Sequence, residues 1–377
     1  MTSDKNFSLV NCNDSKNICF YNGKNEDLEG FIVSEINDKN GRKEFIIENK
    51  KNGNNRILIS VYSKSDLFYG DYLYINCDLA FPNNSKNSKF NYIRYLQLKN
   101  VYSVCNNIKI SKYENMKKFD LYYYILKLKY FVKNRVDEIY EKPYSGLIFG
   151  VLFGGNFLDK DLSNLFSKAG ISHITAVSGY NVSIIVSILS GVFLKIGVNR
   201  FKIFYFLLIF LFLFVLFTGA TASVIRAAIM GACSLMALQF GRISSGVLLL
   251  FFVGFVMVLS NPLILIYDVG FELSFLATFG ILFFKPILDN VFIKFNNFLN
   301  IKDSFNTTIS AFVCTFPVIF INFGSFNLLS IIINLLVLQY IPFLMFFGFV
   351  SIFLSKFVSF FAVFIMKYII FICQVFT

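Results

Sequence analysis

Apolar and polar positions alternate in two different ways along this chain, and the change falls near Pro143. From Gly30 onward the apolar residues come in short runs: Phe31-Ile32-Val33, Glu44 to Ile47, Ile57 to Tyr62, Tyr72 to Ile75 and Val101 to Val104. Turns rich in Asn, Gly, Asp and Lys separate them. Five or so short strands in about 80 residues predict a small closed barrel or sandwich over residues 28–110. The clearest hairpin-like signal is Gly70-Asp71, between two aromatic runs. Residues 1–27 are unpatterned except for Ile18 to Tyr21, so a disordered or loosely packed N-terminus is expected. Tyr113 to Glu141 then reads as an amphipathic helix, with Phe119, Tyr123, Leu126 and Tyr130 at helical spacing among lysines and Pro143 as its stop. It forms a connector over 111–143, lying along a membrane surface or packed on the barrel.

Beyond it, residues 144–377 change character. Ser145 to Gly155 is apolar but too short to span a bilayer, which fits a re-entrant or interfacial piece. Apolar stretches follow at 171–194, 201–218, 221–240, 244–260, 263–284, 308–323, 326–341, 342–355 and 357–376. A bilayer core needs roughly 20 apolar residues per helix, and the last three stretches run together, so eight or nine spans are expected. The fold class is therefore mixed: a small all-β barrel followed by an all-α polytopic transmembrane bundle.

Composition agrees. Mean hydropathy is +0.61, only 15% of residues are charged, and 50 Phe crowd the 377 residues; no soluble domain buries so much apolar surface. Trp is absent, which leaves Tyr to serve at the membrane interfaces. Half of the net charge of +12 lies before Pro143. That balance fits anionic lipid or nucleic acid, and equally an ordinary positive-inside bias. Cys12, Cys19, Cys77 and Cys105 allow three pairings, none selected by the sequence. One His and no Cys-x-x-Cys pair argue against a zinc site, and no metal or other cofactor is expected. Met1 to Val33 holds no apolar core of signal-peptide length.

Basic loops alternate with neutral ones. Lys195, Arg200 and Lys202 follow the first span, Arg242 the third, and Lys285, Lys294 and Lys302 the fifth; Thr218-Gly219-Ala220 and Ser260-Asn261-Pro262 carry no charge. The positive-inside rule then places the first 170 residues outside the cytoplasm. On that topology the first, third and fifth spans enter from the outer face. At 1.5 Å per residue Arg226 and Asp268 lie about 8 Å below the boundary and Glu272 about 13 Å. With His173, Ser178, Asn181, Ser223 and Ser274 they are expected to border one outward-facing, water-accessible cavity, since ionisable groups facing lipid are costly.

Gly219, Ser223, Ala227 and Gly231 form a small-residue ladder for close helix packing. Asp268 and Glu272, four apart, share a helix face, and Arg226 is their most economical partner, in a structural or a functional pair. Ser178-Gly179-Tyr180-Asn181 implies a local helix break, as do Asn322, Gly324, Asn327 and Asn334 with Pro317 and Pro342; freed backbone is tolerated at depth where it lines a cavity. A Ser178 nucleophile with His173 as base is the competing idea, but five residues are about 500° of helix rotation and align the two poorly.

These segments resemble the ComEC competence proteins. Gly170 to Val182 looks like the first signature of that family, Gly219 to Ala227 the second and Asp268 to Phe275 the third. Leu152 to Asn156 with Leu162 to Gly170 is similar to the approach to the first, and Pro317 to Pro342 to a later Asn-and-Pro segment. Phe90 to Leu96 resembles the end of the family's extracellular OB-like domain. The resemblance covers about residues 28–345 and implies a channel that passes single-stranded DNA across the bacterial inner membrane during transformation. It implies a DNA receptor and a helicase of a competence system as partners, beside membrane lipid. A separately encoded nuclease and a homodimer remain open.

There are departures. Asn181 stands where the family has a second His, and Glu272 where it has Gln. The N-terminal membrane helices and the C-terminal metallo-β-lactamase-like domain of long members are not seen, so no enzymatic activity is expected. A channel module or one part of a split system is the reading. Tyr92, Arg94 and Tyr95 are the candidate DNA contacts of the barrel, where stacking aromatics beside cations would suit a single strand. Alternatives are a solute or lipid transporter on the same fold and an intramembrane hydrolase.

Overall fold

The computed structural model describes residues 12–377 except 13, 15–16, 40–41, 50–55, 63–66, 85–90, 115–119, 156, 176, 292–300, 324–328 and 355. Gly324 and Asn327 therefore lie outside the described residues. The chain divides into two compact units, Met1–Lys127 and Leu128–Thr377.

The first unit is a barrel. Strands β1 (Asn25–Ile32), β3 (Arg42–Asn49), β4 (Arg56–Tyr62), β5 (Tyr72–Ala80) and β6 (Val101–Glu114) close in the order β1-β5-β6-β4-β3-β1, and the short β2 (Asn37–Lys39) hangs on β3. Every pairing is antiparallel except β4 with β6. That is the Greek-key arrangement of an OB-like barrel. Period-2 alternation builds it: Phe45 and Ile47, Ile57 and Ile59, Leu73 and Ile75 turn inward and are buried together. Closure rests on β1, which pairs with β5 on one side and, at Gly30–Ile32, with β3 on the other. A Cβ at Gly30 would run into the Glu48 carbonyl, so only glycine fits where the two edges meet. Cys77 bonds Cys105 across β5 and β6, and Cys12 bonds Cys19.

Three expectations change here. Gly70, with φ of +85°, does form a turn, but not a hairpin: β4 pairs with β3 and β6, and β5 with β1 and β6. The last strand runs ten residues past Val104, to Glu114, because interleaved Asn and Lys hide an alternation that two neighbouring strands satisfy. Tyr92–Leu98 is a short helix, α1, capped by the Asn91 side chain, which accepts from the Arg94 amide at 3.2 Å. The helix α2 (Leu121–Ile139) consequently starts later than Tyr113.

The second unit is helical: α3 (Tyr144–Phe153), α4 (Lys160–Lys168), α5 (Gly179–Lys195), α6 (Arg200–Phe217), α7 (Ala222–Gln239), α8 (Gly246–Ser260), α9 (Ile264–Tyr267), α10 (Val269–Val291), α11 (Ile301–Phe323), α12 (Leu329–Leu338), α13 (Ile341–Leu354) and α14 (Lys356–Phe376). Among the described residues six helical segments are long and apolar enough to cross a membrane, or seven if α12 and α13, bent by 46°, count as one. The eight or nine expected from sequence counted that bent pair twice and included α8, which has 15 residues. The largest core joins α3, α4, α12, α13 and α14 through Ile148, Phe166, Val337, Leu344 and Met366, with Tyr140 and Ser351 hydrogen-bonded at 2.7 Å inside it.

Gly30→Val should open the barrel, costing about 1–3 kcal/mol as overpacked sites do. Limited proteolysis of the full chain would show it as faster cutting within residues 25–114. Gly191→Ala, where a Cβ meets nothing within 4 Å, is the silent control.

Candidate functional site

The polar residues of the spanning helices gather where α5 begins. Ser178 is its N-cap: its Oγ accepts from the Asn181 amide at 3.4 Å and donates to Asn181 Oδ1 at 3.1 Å. Asn181 Nδ2 in turn donates to the Val151 carbonyl of α3 at 3.0 Å and is buried. The break expected at Gly179 is thus the start of the helix itself. His173, on a 3-10 turn at Ser172–Ile174, is exposed.

The α7 helix lies across this start. Ser223 Oγ donates to the Val177 carbonyl at 3.2 Å. One turn on, Ala227 packs on α5, its Cβ 3.3 Å from where a Gly179 Cβ would stand. Gly231 faces Leu211 of α6 at 3.7 Å. The helical part of the small-residue ladder is these three residues, for Gly219 sits in the preceding loop with φ of +83° and nothing within 4 Å of its Cβ position.

Arg226 occupies the middle of the arrangement. It is 6% exposed, and its Nη1 donates to Thr278 Oγ1 of α10. Thr278 Oγ1 donates to the Ser274 carbonyl, and Ser274 Oγ to that of Phe271, each at 3.1 Å. Arg226 Nε is buried without a partner. Among the described residues no carboxylate lies within ion-pair distance of Arg226, which corrects the expected pairing with Asp268 and Glu272.

The reason is register. Asp268 breaks the span: α9 ends before it and its Oδ1 accepts from the Phe271 amide at 3.1 Å as α10 starts. Arg226 meets α10 at Thr278, six residues past Glu272 and ten past Asp268, or about 9 and 15 Å along the axis. The Glu272 side chain makes no hydrogen bond or ion pair among the described residues and is half-buried, while its amide donates to the Asp268 carbonyl at 3.0 Å. Thr278 is the participant that sequence reasoning missed; its signal was the four-residue repeat Gly270, Ser274, Thr278 in an apolar helix.

Farther along, Pro317 and Asn322 sit within α11, where Asn322 Nδ2 donates to the Val318 carbonyl at 3.0 Å. Asn334 Oδ1 in α12 is buried without a partner. Pro342 lies at the start of α13, beside the bend.

On the barrel, Tyr92 and Tyr95 pack with Leu58, Leu96 and Val101 on the outer face of β3 and β4. Burial first, then the Glu44 carboxylate, raise the Tyr92 phenol above its ordinary value. Arg94 donates to Gln97 at 2.9 Å, and Lys99 stands over the Tyr95 ring at 4.5 Å. The barrel also carries an open groove of about 720 Å³ lined by Arg42, Ser60, Val61, Tyr62, Cys105, Asn106 and Ile108. Tyr62 there is 77% exposed.

This is a multi-pass membrane protein with a closed β-barrel and a polar seam through its spans. Residues 151–377 match the family model described as Competence protein, and the chain belongs to that family. It is also similar to ComE operon protein 3 of Bacillus subtilis (strain 168), 27% identical over 260 residues. That match covers 67% of this chain and 32% of the relative, so it spans about a third of the relative's length. No solved structure matches.

Removing Arg226 leaves Thr278 without its partner on α7. Arg226→Ala combined with Asp268→Asn and Glu272→Gln should be no better folded than Arg226→Ala alone, because the acids do not pair with it; thermal melting of the detergent-solubilised chain decides this, and rescue would restore the ion pair. Asn181→Leu should cost about 1–3 kcal/mol by stranding the Val151 carbonyl.

Proposed function

We propose that this chain is a membrane channel module that passes single-stranded DNA across the bacterial cell membrane during natural transformation, its barrel outside the cytoplasm and its role non-enzymatic. The observation that carries the reading is the seam in which α5, α7 and α10 meet through Ser223–Val177 and Arg226–Thr278. It lies within the family-matched segment, and polar groups facing hydrocarbon would cost several kcal/mol each. His173, Asp268 and Glu272 belong to the path in this reading as groups on its outer approach.

Cysteine usage supports the orientation. The four cysteines of the barrel unit form two disulfides, while Cys233, Cys314 and Cys373 of the helical unit are free; disulfides persist outside the cytoplasm. For DNA contact the groove is better suited than α1. Tyr62 offers an open stacking face beside Arg42, whereas Tyr92 and Tyr95 are committed to packing. The hydrolase alternative loses ground, because the Ser178 hydroxyl donates its hydrogen bond to Asn181 Oδ1 rather than to a histidine.

Two measurements test the proposal. Liposomes carrying the purified chain should admit a labelled single strand of DNA and exclude the duplex; equal exclusion of both ends the channel reading. A cysteine placed at Asn84 should react with an impermeant thiol reagent in intact spheroplasts, and protection there would invert the topology.

A further inference from the structure

Arg226 is a buried cation whose only described hydrogen bond goes to a neutral hydroxyl. What faces it is not an acid. Its Nη2 lies 3.4 Å from the position a Cβ would take at Gly179, the first residue of α5. A helix start carries roughly half a positive charge on backbone amides that lack intrahelical partners. The Ser178 side chain covers one of these, the Asn181 amide. Two positive ends therefore meet inside the bundle, with Arg226 Nε buried and unpartnered beside them. Burying an unpaired charge is strongly unfavourable, and an anion between the two ends would relieve both at once.

We propose that Arg226 and the N-terminus of α5 form a binding site for one backbone phosphodiester of a single DNA strand. This rests on the channel reading above and deepens it. Gly179 has no Cβ to keep a phosphate from the backbone, and a guanidinium recognises phosphate oxygens through paired, charge-assisted hydrogen bonds. Arg226 lies four residues, about 6 Å, into α7, within the seam that joins α5, α7 and α10, and this seam is the path that the channel reading gives the strand. One cation per site also suits passage, since a translocation path must bind weakly enough to release.

The test uses the full chain in nanodiscs with a photo-crosslinking residue, p-benzoylphenylalanine, replacing Tyr180, an exposed side chain on the first turn of α5. The probes are a labelled abasic oligodeoxynucleotide and its uncharged methylphosphonate counterpart. The abasic strand should crosslink. Replacing it with the methylphosphonate, or introducing Arg226→Gln, should lower the yield about tenfold, the worth of a charge-assisted hydrogen bond, while Arg226→Lys keeps most of it.

Should Arg226→Gln fail to fold by size exclusion, the methylphosphonate probe and Arg226→Lys decide the matter. Equal yields from both probes, a folded Arg226→Gln variant that crosslinks normally, or crosslinking to phosphatidylglycerol in place of DNA would overturn the site. Strands that cross liposomes without crosslinking here sink the site and leave the channel. Arg226-dependent crosslinking without passage does the reverse.

Discussion

A guanidinium within a membrane-spanning helix must be satisfied by neighbouring helices, because hydrocarbon offers nothing else. Arg226 imposes that requirement on this bundle. Its Nη1 fixes the height of α7 against α10 at Thr278, and its Nη2 packs on the residue that opens α5, 3.4 Å from where a Gly179 Cβ would stand. Neighbouring contacts then fall into place around it. Ser223 takes the Val177 carbonyl that precedes α5, and Ser178 and Asn181 close the helix start and reach back to α3. The polar residues of α5, α7 and α10 thus share one seam that reaches a backbone carbonyl of α3, each link leaving fewer buried groups to satisfy.

The barrel obeys the opposite economy. Its strands send polar side chains outward to water and need only a closed ladder of backbone hydrogen bonds. The demanding point is where β1 turns from β5 to β3, and there a single glycine admits the Glu48 carbonyl. Elsewhere the face is permissive. Helix α1 can cover part of it, because that leaves the inward residues that hold the fold undisturbed.

These two economies explain how much could be read from the residues alone. Short apolar runs such as Phe45-Ile46-Ile47, bounded by turns, found the barrel, and apolar length found the spans, since both reflect burial against a neighbour of known kind. The strand from Val101 to Glu114 was legible only in its first third, because interleaved Asn and Lys read as loop. Helix α1 was missed although Asn91 marks its cap, since seven residues give periodicity little to work with.

In the membrane unit the seam could be located but its partners could not be paired. Arg226, Asp268 and Glu272 stood out by their cost in hydrocarbon, and counting residues from the apolar boundaries placed them at similar depth. That count assumed an unbroken helix from residue 263. Asp268 instead ends α9 and caps α10, and once it serves as a cap the contact with α7 falls two to three turns farther on, at a threonine. Cost identifies which side chains must be satisfied; only the register of one helix against another decides by whom.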